Sequence, residues 1–391
     1  MLHTIKRGAA LALAGALGLA NCALAATPLR IGLEIPMSGP FADFGKQIDH
    51  GVQLYLAQHH GMIDGRQVQI VLKDDAPGTA GDIARRIAQE LVIKDKVDIL
   101  AGFAMTPAAF AVAPIATQAK IPMVVMNAAT SSITTKSPYI VRTSMTLSEN
   151  AAIMGRWAAG HGMHRAYVMV ANFGPGYDAE AHFIAAYKAA GGTIVGDTRA
   201  PLNSPDYAPY LQRIEATHPD AVFLFMPGEG SLAFIREFHR AGLQKHIQLI
   251  GSGDLTDEDT LNNLGKDGVG IITAMQYSED HDSALNHAYV QAYYKAYPKD
   301  RPNFMSVGGY DGMHLIDLAL AKDHGNTSGP AFIAAAKGLH WMSPRGPISI
   351  DPLTRDIVQT IYIRKVEWVK GKLQNVEIDK FADVHDPGKK G

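Results

Sequence analysis

Short apolar runs alternate with longer amphipathic stretches along most of the chain, the pattern of βαβ units around a parallel sheet. Leu29-Arg30-Ile31-Gly32-Leu33-Glu34-Ile35 reads as a strand, followed by a Pro- and Gly-rich loop over 36–45. The spacing then predicts a helix over 46–59, a turn at Gly61 to Gly65, a strand over 68–73 ending at Asp74-Asp75, and a helix over 80–94. The stretch 97–135 holds two strand-to-loop units side by side. One apolar run, 97–101, ends at Gly102 and opens into Phe103-Ala104-Met105-Thr106-Pro107 before an alanine-rich helix over 108–120. A second, 121–126, ends in Asn127-Ala128-Ala129-Thr130-Ser131-Ser132. Small residues and hydroxyls thus follow both strands, at the end of an open α/β sheet where ligands bind and where helix N-termini suit a carboxylate. Ordinary polar connecting loops would look the same.

After 139–143 the pattern restarts. Helices are predicted over 149–159, 178–190, 207–216 and 230–241, and strands over 166–171, 192–196, 221–226 and 247–250. A strand over 270–276 is followed by helices over 283–296 and 306–321, then by β-structure over 348–350 and a hairpin of 360–369 with 373–378 turning at Lys370-Gly371. So many elements cannot all belong to the second half, so the chain is expected to pass between two domains more than once.

Residues 1–25 carry a basic front (Lys6, Arg7), an apolar stretch and Ala23-Leu24-Ala25, the pattern of a cleaved secretory signal. Export outside the cytoplasm follows as the expectation. Cys22, the only cysteine, raises lipid attachment as an alternative, although Asn21 precedes it where such signals carry a small residue. Cleavage after Ala25 would remove the sole thiol, and with it disulfide and iron–sulfur chemistry. The remaining chain would have a net charge of about −4 and no basic run beyond Lys389-Lys390, which gives no reason to expect nucleic acid. Its length exceeds what one core serves.

Enzymatic readings are weak. Gly174-Pro175-Gly176-Tyr177-Asp178-Ala179 satisfies a dinucleotide-binding fingerprint, with Asp197 where a ribose-binding acid would lie. Proline stiffens that turn, the unit lies mid-chain, and export separates it from nicotinamide cofactors. His161 and His164 straddle Gly162, His59 and His60 are adjacent, and no His-Glu helix motif accompanies either pair. Ser252 stands in Ile250-Gly251-Ser252-Gly253-Asp254, without a nucleophile elbow.

An ordered series of short motifs resembles the periplasmic leucine/isoleucine/valine-binding protein family of ABC importers. It comprises Met37-Ser38-Gly39-Pro40, Phe44-Gly45, Gly61-Met62-Ile63-Asp64-Gly65-Arg66, Asp74-Asp75-Ala76, Asn127-Ala128-Ala129-Thr130, Pro219-Asp220-Ala221-Val222 and Arg240-Ala241-Gly242-Leu243. Pro175-Gly176-Tyr177-Asp178-Ala179-Glu180 and Arg301-Pro302-Asn303-Phe304 look most like the branch serving aromatic-acid uptake. The resemblance implies an α/β fold of the type I periplasmic binding protein, two doubly wound parallel-sheet lobes joined by a three-crossover hinge. Lobe 1 would be 26–145 plus 277–345 and lobe 2 146–276 plus 346–391, with crossovers near 143–147, 274–278 and 344–348. It further implies a monomer without catalysis or cofactor, holding a small carboxylate (an aromatic acid or a branched-chain amino acid) for membrane permease subunits. A ligand sensor for a membrane receptor would share the fold.

Carried over residue by residue, the resemblance places the ligand carboxylate on Thr106 and Thr130, an α-amino group on the Ala128 carbonyl, and aromatic walls at Phe44 and Tyr177. The acid that neutralises the ammonium in amino-acid-binding relatives would fall at Gly253, with Asp254 beside it, so an amino-acid ligand is put in question. The relatives' small disulfide would need cysteines at Pro77 and Met105, and neither is present. Met105 and Tyr310 suit further apolar walls, and Glu229 could face the cleft. Core packing would equally explain Phe44, Met105 and Tyr310, and a helix N-terminal charge would explain Glu229.

Overall fold

The computed structural model describes residues 27–202 and 206–389. The expected signal segment and Cys22 lie outside the described residues. A six-stranded sheet is built from β1 (Leu29–Ile35), β2 (Met62–Ile63), β3 (Arg66–Asp74), β4 (Ile99–Gly102), β5 (Met123–Val125) and β6 (Ile140–Arg142), in the order β2-β3-β1-β4-β5-β6. All its pairs except β2 with β3 are parallel. A second, nine-stranded sheet holds β7 (Arg165–Ala171), β8 (Thr193–Ala200), β9 (Ala221–Phe225), β10 (Gln248–Ser252), β11 (Ile272–Met275), β12 (His340–Ser343), β13 (Gly346–Ile350), β14 (Ile357–Val369) and β15 (Lys372–Val384). Its order is β12-β13-β14-β11-β10-β9-β7-β8, with β15 paired to β14. From β8 to β11 this sheet is parallel, and from β11 outward it is antiparallel.

The parallel strands read as continuous apolar runs because helices cover both faces. In β9, Ala221 to Phe225 are all buried. The β14–β15 hairpin turns through Lys370 and Gly371, both at positive φ (50° and 79°), as a two-residue hairpin turn requires. The predicted elements are recovered with shifts of a few residues at their ends. Helix Glu258–Leu264, helix Gly329–Ala336 and strand β12 are additions; they are short and lack a clear period.

After β6 the chain passes to the second sheet at helix Leu147–Gly160, whose N-cap Thr146 accepts from the Glu149 amide at 3.2 Å. After β11 it returns, and helix Phe304–Lys322 packs on helix Ala42–Gln58 beside the first sheet. It then passes back into β12–β15. These passages are knotted by buried charge. Arg345 is fully buried; its guanidinium pairs with Asp311 at 2.9 Å and donates to Gln359 Oε1 at 3.0 Å and to the Thr143 carbonyl at 2.6 Å. Gln359 in turn donates to Glu149 at 2.9 Å. One side chain therefore ties together the first passage, the third, helix Phe304–Lys322 and β14.

Candidate functional site

The carboxyl ends of β4 and β5 lead directly into the polar segments that the sequence singled out. Gly102 and Phe103 take positive φ (104° and 62°) and turn the chain sharply off β4. A Cβ on Gly102 would stand 2.6 Å from the Glu34 carbonyl, so this turn is closed to larger residues. Thr106 opens helix Thr106–Ala119, with Pro107 in the first turn where its missing N–H costs nothing. Its hydroxyl lies 3.0 Å from that of Thr130, and both residues are buried. The Asn127 amide donates to the Ala104 carbonyl at 2.8 Å and so clips the two loops together.

Arg142, at the end of β6, fixes the second loop from behind. Its guanidinium donates to the carbonyls of Ala128 (3.2 Å), Thr130 (2.9 Å) and Ser131 (3.1 Å) and pairs with Asp356 at 2.7 Å. The Ser144 hydroxyl also reaches the Ala128 carbonyl, at 3.4 Å. That carbonyl is thus already engaged, beside a buried cation.

The second sheet supplies the facing wall. Helix Gly174–Ala189 begins on the extended residue Phe173 without a side-chain cap. A Cβ on Gly174 would fall 2.9 Å from Thr130 Oγ1 and 3.6 Å from Thr106 Cγ2, so this helix start lies against the threonine pair. Two helix N-termini, one from each sheet's layer, therefore meet at the same pair of hydroxyls, an arrangement that favours negative charge.

Around them is a narrow cavity of about 30 Å³, lined by Phe44, Ala104, Met105, Thr106, Asn127 and Ala129 on one side. Met145, Leu147, Phe173, Pro175, Phe225, Pro227 and Asp254 close the other. Its walls are largely apolar, with a few polar groups, as small-molecule sites are. Asp254 sits in the turn after β10 and accepts from the Ser252 hydroxyl at 2.8 Å. Burial pushes its carboxyl above the usual range, the Ser252 hydrogen bond and Arg364 opposing.

Of the residues named from sequence, Phe44, Met105, Thr106 and Asp254 line this cavity, Thr130 is bonded to Thr106, and Ala128 stands behind in the Arg142 cage. Three others are elsewhere. Tyr177 is 40% exposed, donates to Asn172 at 3.0 Å and has the Arg199 guanidinium over its ring at 4.5 Å. The helix starts at Gly174 rather than near Asp178, and this turns Tyr177 onto its outer side. Tyr310 donates to Gln58 at 2.6 Å and packs edge-on against Tyr55 and Tyr289. Glu229 lines a separate recess of about 440 Å³ with Phe41, Pro227 and Arg236, beside the cavity but outside it. Phe173, Phe225 and Met145 were missed. Each follows or ends a buried run and looks like core until the sheets are set face to face. Asn127 had a signal, a polar residue closing β5.

His161 stacks on Trp157 with ring centroids 4.1 Å apart and binds its carbonyl at 2.7 Å, a structural placement. Among the described residues, no group of three or more His, Cys, Asp or Glu is arranged to hold a metal ion, and no helix is long and apolar enough to cross a membrane.

Comparison with known proteins adds relatives to this geometry. Residues 28–372 match the family model described as periplasmic binding protein. The Leu/Ile/Val-binding protein homolog 6 of Brucella melitensis is 42% identical over 376 residues, 95% of this chain and 96% of its own. A solute binding protein of an ABC transporter from Rhodopseudomonas palustris BisB5, solved in complex with 3,4-dihydroxybenzoic acid, is 50% identical, with a TM-score of 0.89 over 93% of this chain and 99% of that one. Another, from Rhodopseudomonas palustris HaA2 in complex with p-hydroxybenzoic acid, is 41% identical, with a TM-score of 0.90 over 93% and 99%.

Proposed function

The chain belongs to the periplasmic binding protein family, and on that premise we propose that it captures a small aromatic carboxylate, a hydroxybenzoate foremost, and delivers it to the permease of an ABC importer. The observation that carries the reading is the Thr106–Thr130 hydroxyl pair set against the start of helix Gly174–Ala189 in an otherwise apolar cavity. Neutral hydroxyls and backbone N–H groups there offer donors to a carboxylate, and hydrogen bonds to a charged group are the stronger kind. Phe44, Phe173, Phe225, Met105 and Met145 would hold an aromatic ring.

Two features favour an aromatic acid over an α-amino acid. The Ala128 carbonyl that would accept an ammonium already accepts from Arg142, and a second cation there would meet the guanidinium. Asp254, the acid within the cavity, is pushed by burial toward its neutral form, which suits a phenolic hydroxyl better than an ammonium. In this reading Thr106 and Thr130 hold the carboxylate end and Asp254 the ring hydroxyl. Lobe 1 (26–145 plus 277–345) and lobe 2 (146–276 plus 346–391) close on the ligand as a single copy in the periplasm, with residues 1–25 the export signal. Closure needs ligand contacts on both lobes, because a ligand with no differential affinity shifts no equilibrium. The relatives solved with hydroxybenzoic acids support the ligand class.

Cells lacking this protein are expected to lose uptake of labelled 4-hydroxybenzoate at low external concentration and to regain it with the wild-type chain. Uptake that persists undiminished would contradict delivery to a permease.

A further inference from the structure

Next to the cavity, on the same face of helix Ala42–Gln58 that carries Phe44, a polar contact spans the two lobes. Gln47 is buried, and its Oε1 accepts from the Tyr293 hydroxyl at 2.6 Å. That bond fixes the amide orientation, so its Nε2 is left to donate, and it donates to Asp259 of helix Glu258–Leu264. Beside it, Asn303 donates to Asp257 Oδ2 at 3.0 Å while its own carbonyl caps helix Phe304–Lys322. Helix Glu258–Leu264 packs within the second lobe, whereas Gln47 and Asn303 belong to helices of the first. Asp254, which lines the cavity, precedes this helix by one short turn, so the two contacts form where the cleft shuts.

We propose that Asp259 is a proton-linked latch: shutting the cleft traps this carboxylate among like charges, so capture takes up a proton and weakens as pH rises. The latch rests on the reading of the cleft as one that shuts on a ligand. Asp259 stands among acidic groups from three segments of the chain. Asp43 lies on the same helix as Gln47, Asp300 precedes Asn303, and Asp257 and Glu258 precede it on its own helix. The cations nearby are engaged elsewhere, Arg236 donating to the Asn263 carbonyl at the far end of the same helix at 3.1 Å. Lys46 pairs with Asp300 at 3.0 Å, His50 lies 3.6 Å from Asp300, Arg301 pairs with Glu279 at 2.6 Å, and Arg364 lies 3.5 Å from Glu258. Burial first, then Asp300, Asp43 and Glu258, push the Asp259 carboxyl up to about 7, although the Gln47 hydrogen bond opposes this. Asp257 is raised as well, by burial and by Asp259 and Glu258.

The direction follows from linkage. With the lobes apart, Asp259 would titrate near the ordinary aspartate value of about 3.9. Its protonated form favours closure, so affinity is highest below that value, falls as pH rises toward about 7, and is flat above. An aromatic carboxylic acid, with an ordinary carboxyl pKa near 4, is ionised across the upper part of this range and adds no slope there.

The test compares wild type with Asp259→Asn, which keeps the acceptor for Gln47 and removes the titration. Binding of 4-hydroxybenzoate is measured by calorimetry from pH 5.5 to 8 in buffers of different ionisation enthalpy. For wild type, Kd is expected to rise roughly twenty-fold from pH 5.5 to pH 7.5, with proton uptake on binding near pH 6.5. Asp259→Asn is expected to bind with a shallower pH dependence, what remains belonging to Asp257 and Asp254, and to be the tighter of the two at pH 7.5. His50 is present in both proteins, so its titration cancels. Identical pH profiles for the two would overturn the latch. The balance of open and shut forms without added ligand gives a separate readout, by small-angle scattering. Asp259→Asn is expected to have the smaller radius of gyration at pH 7.5 and not at pH 5, and equal radii at both would also overturn the latch. Should 4-hydroxybenzoate bind neither protein at any pH, the ligand reading fails, and the scattering comparison alone decides the latch.

Discussion

Thr130→Val is expected to weaken binding of 4-hydroxybenzoate by about ten- to a hundred-fold, with the fold intact. Valine has nearly the shape of threonine and removes only the hydroxyl, which lies 3.0 Å from Thr106 Oγ1 in a buried setting. A hydrogen bond to a charged group contributes about 1.5–3 kcal/mol, and each 1.4 kcal/mol is a factor of ten. Removing the hydroxyl also leaves the buried Thr106 hydroxyl without its partner in the ligand-free protein, which offsets part of the loss in affinity. The variant's thermal midpoint without ligand is expected to fall in line with the cost of that orphaned hydroxyl, about 1–3 kcal/mol, with a cooperative transition retained, and calorimetry gives the affinity. Unchanged affinity would place the carboxylate elsewhere in the cavity.

The largest expected effect on stability is at Arg345. Arg345→Met should cost about 3–5 kcal/mol, because it leaves the Asp311 carboxylate buried without its cation. Trp341 Nε1 at 3.2 Å and the Ser343 hydroxyl at 2.8 Å would still donate to Asp311. Neither carries charge. The Thr143 carbonyl and Gln359 Oε1 would lose their donor as well, so two of the passages between lobes come loose together. Denaturant unfolding measures the loss, and a change below about 1 kcal/mol would show that the ion pair does not hold this knot. The double variant Arg345→Met with Asp311→Leu is expected to recover part of the stability, since it removes the orphaned charge.

The order of strands and helices was legible because burial on both faces forces continuous apolar runs in parallel strands, and the hairpin was legible from Lys370-Gly371. The chain's return to the first lobe was anticipated only from the number of elements, without a signal for which helices return. At the site, Thr106 and Thr130 were readable because each follows a strand end in small residues. Tyr177 lies off the cavity because Gly174-Pro175-Gly176 starts the helix earlier than its apolar period does, and the aromatic residue of this segment that lines the cavity is Phe173. Arg142 and Arg345 were invisible for a different reason. Their acids, Asp356 and Asp311, are remote in sequence, and no local pattern reports a buried ion pair closed by tertiary structure. The same holds for the Gln47–Asp259 contact.

One measurement tests the central claim most directly. The protein is unfolded, dialysed and refolded to remove carried-over ligand, then titrated at pH 7 in a calorimeter with 4-hydroxybenzoate and, separately, with leucine. Saturable one-to-one binding of 4-hydroxybenzoate without heat from leucine is the predicted result. Leucine binding without 4-hydroxybenzoate binding would contradict it, and would mean that Asp254 is ionised in the cleft and neutralises an ammonium despite the Arg142 cage around Ala128.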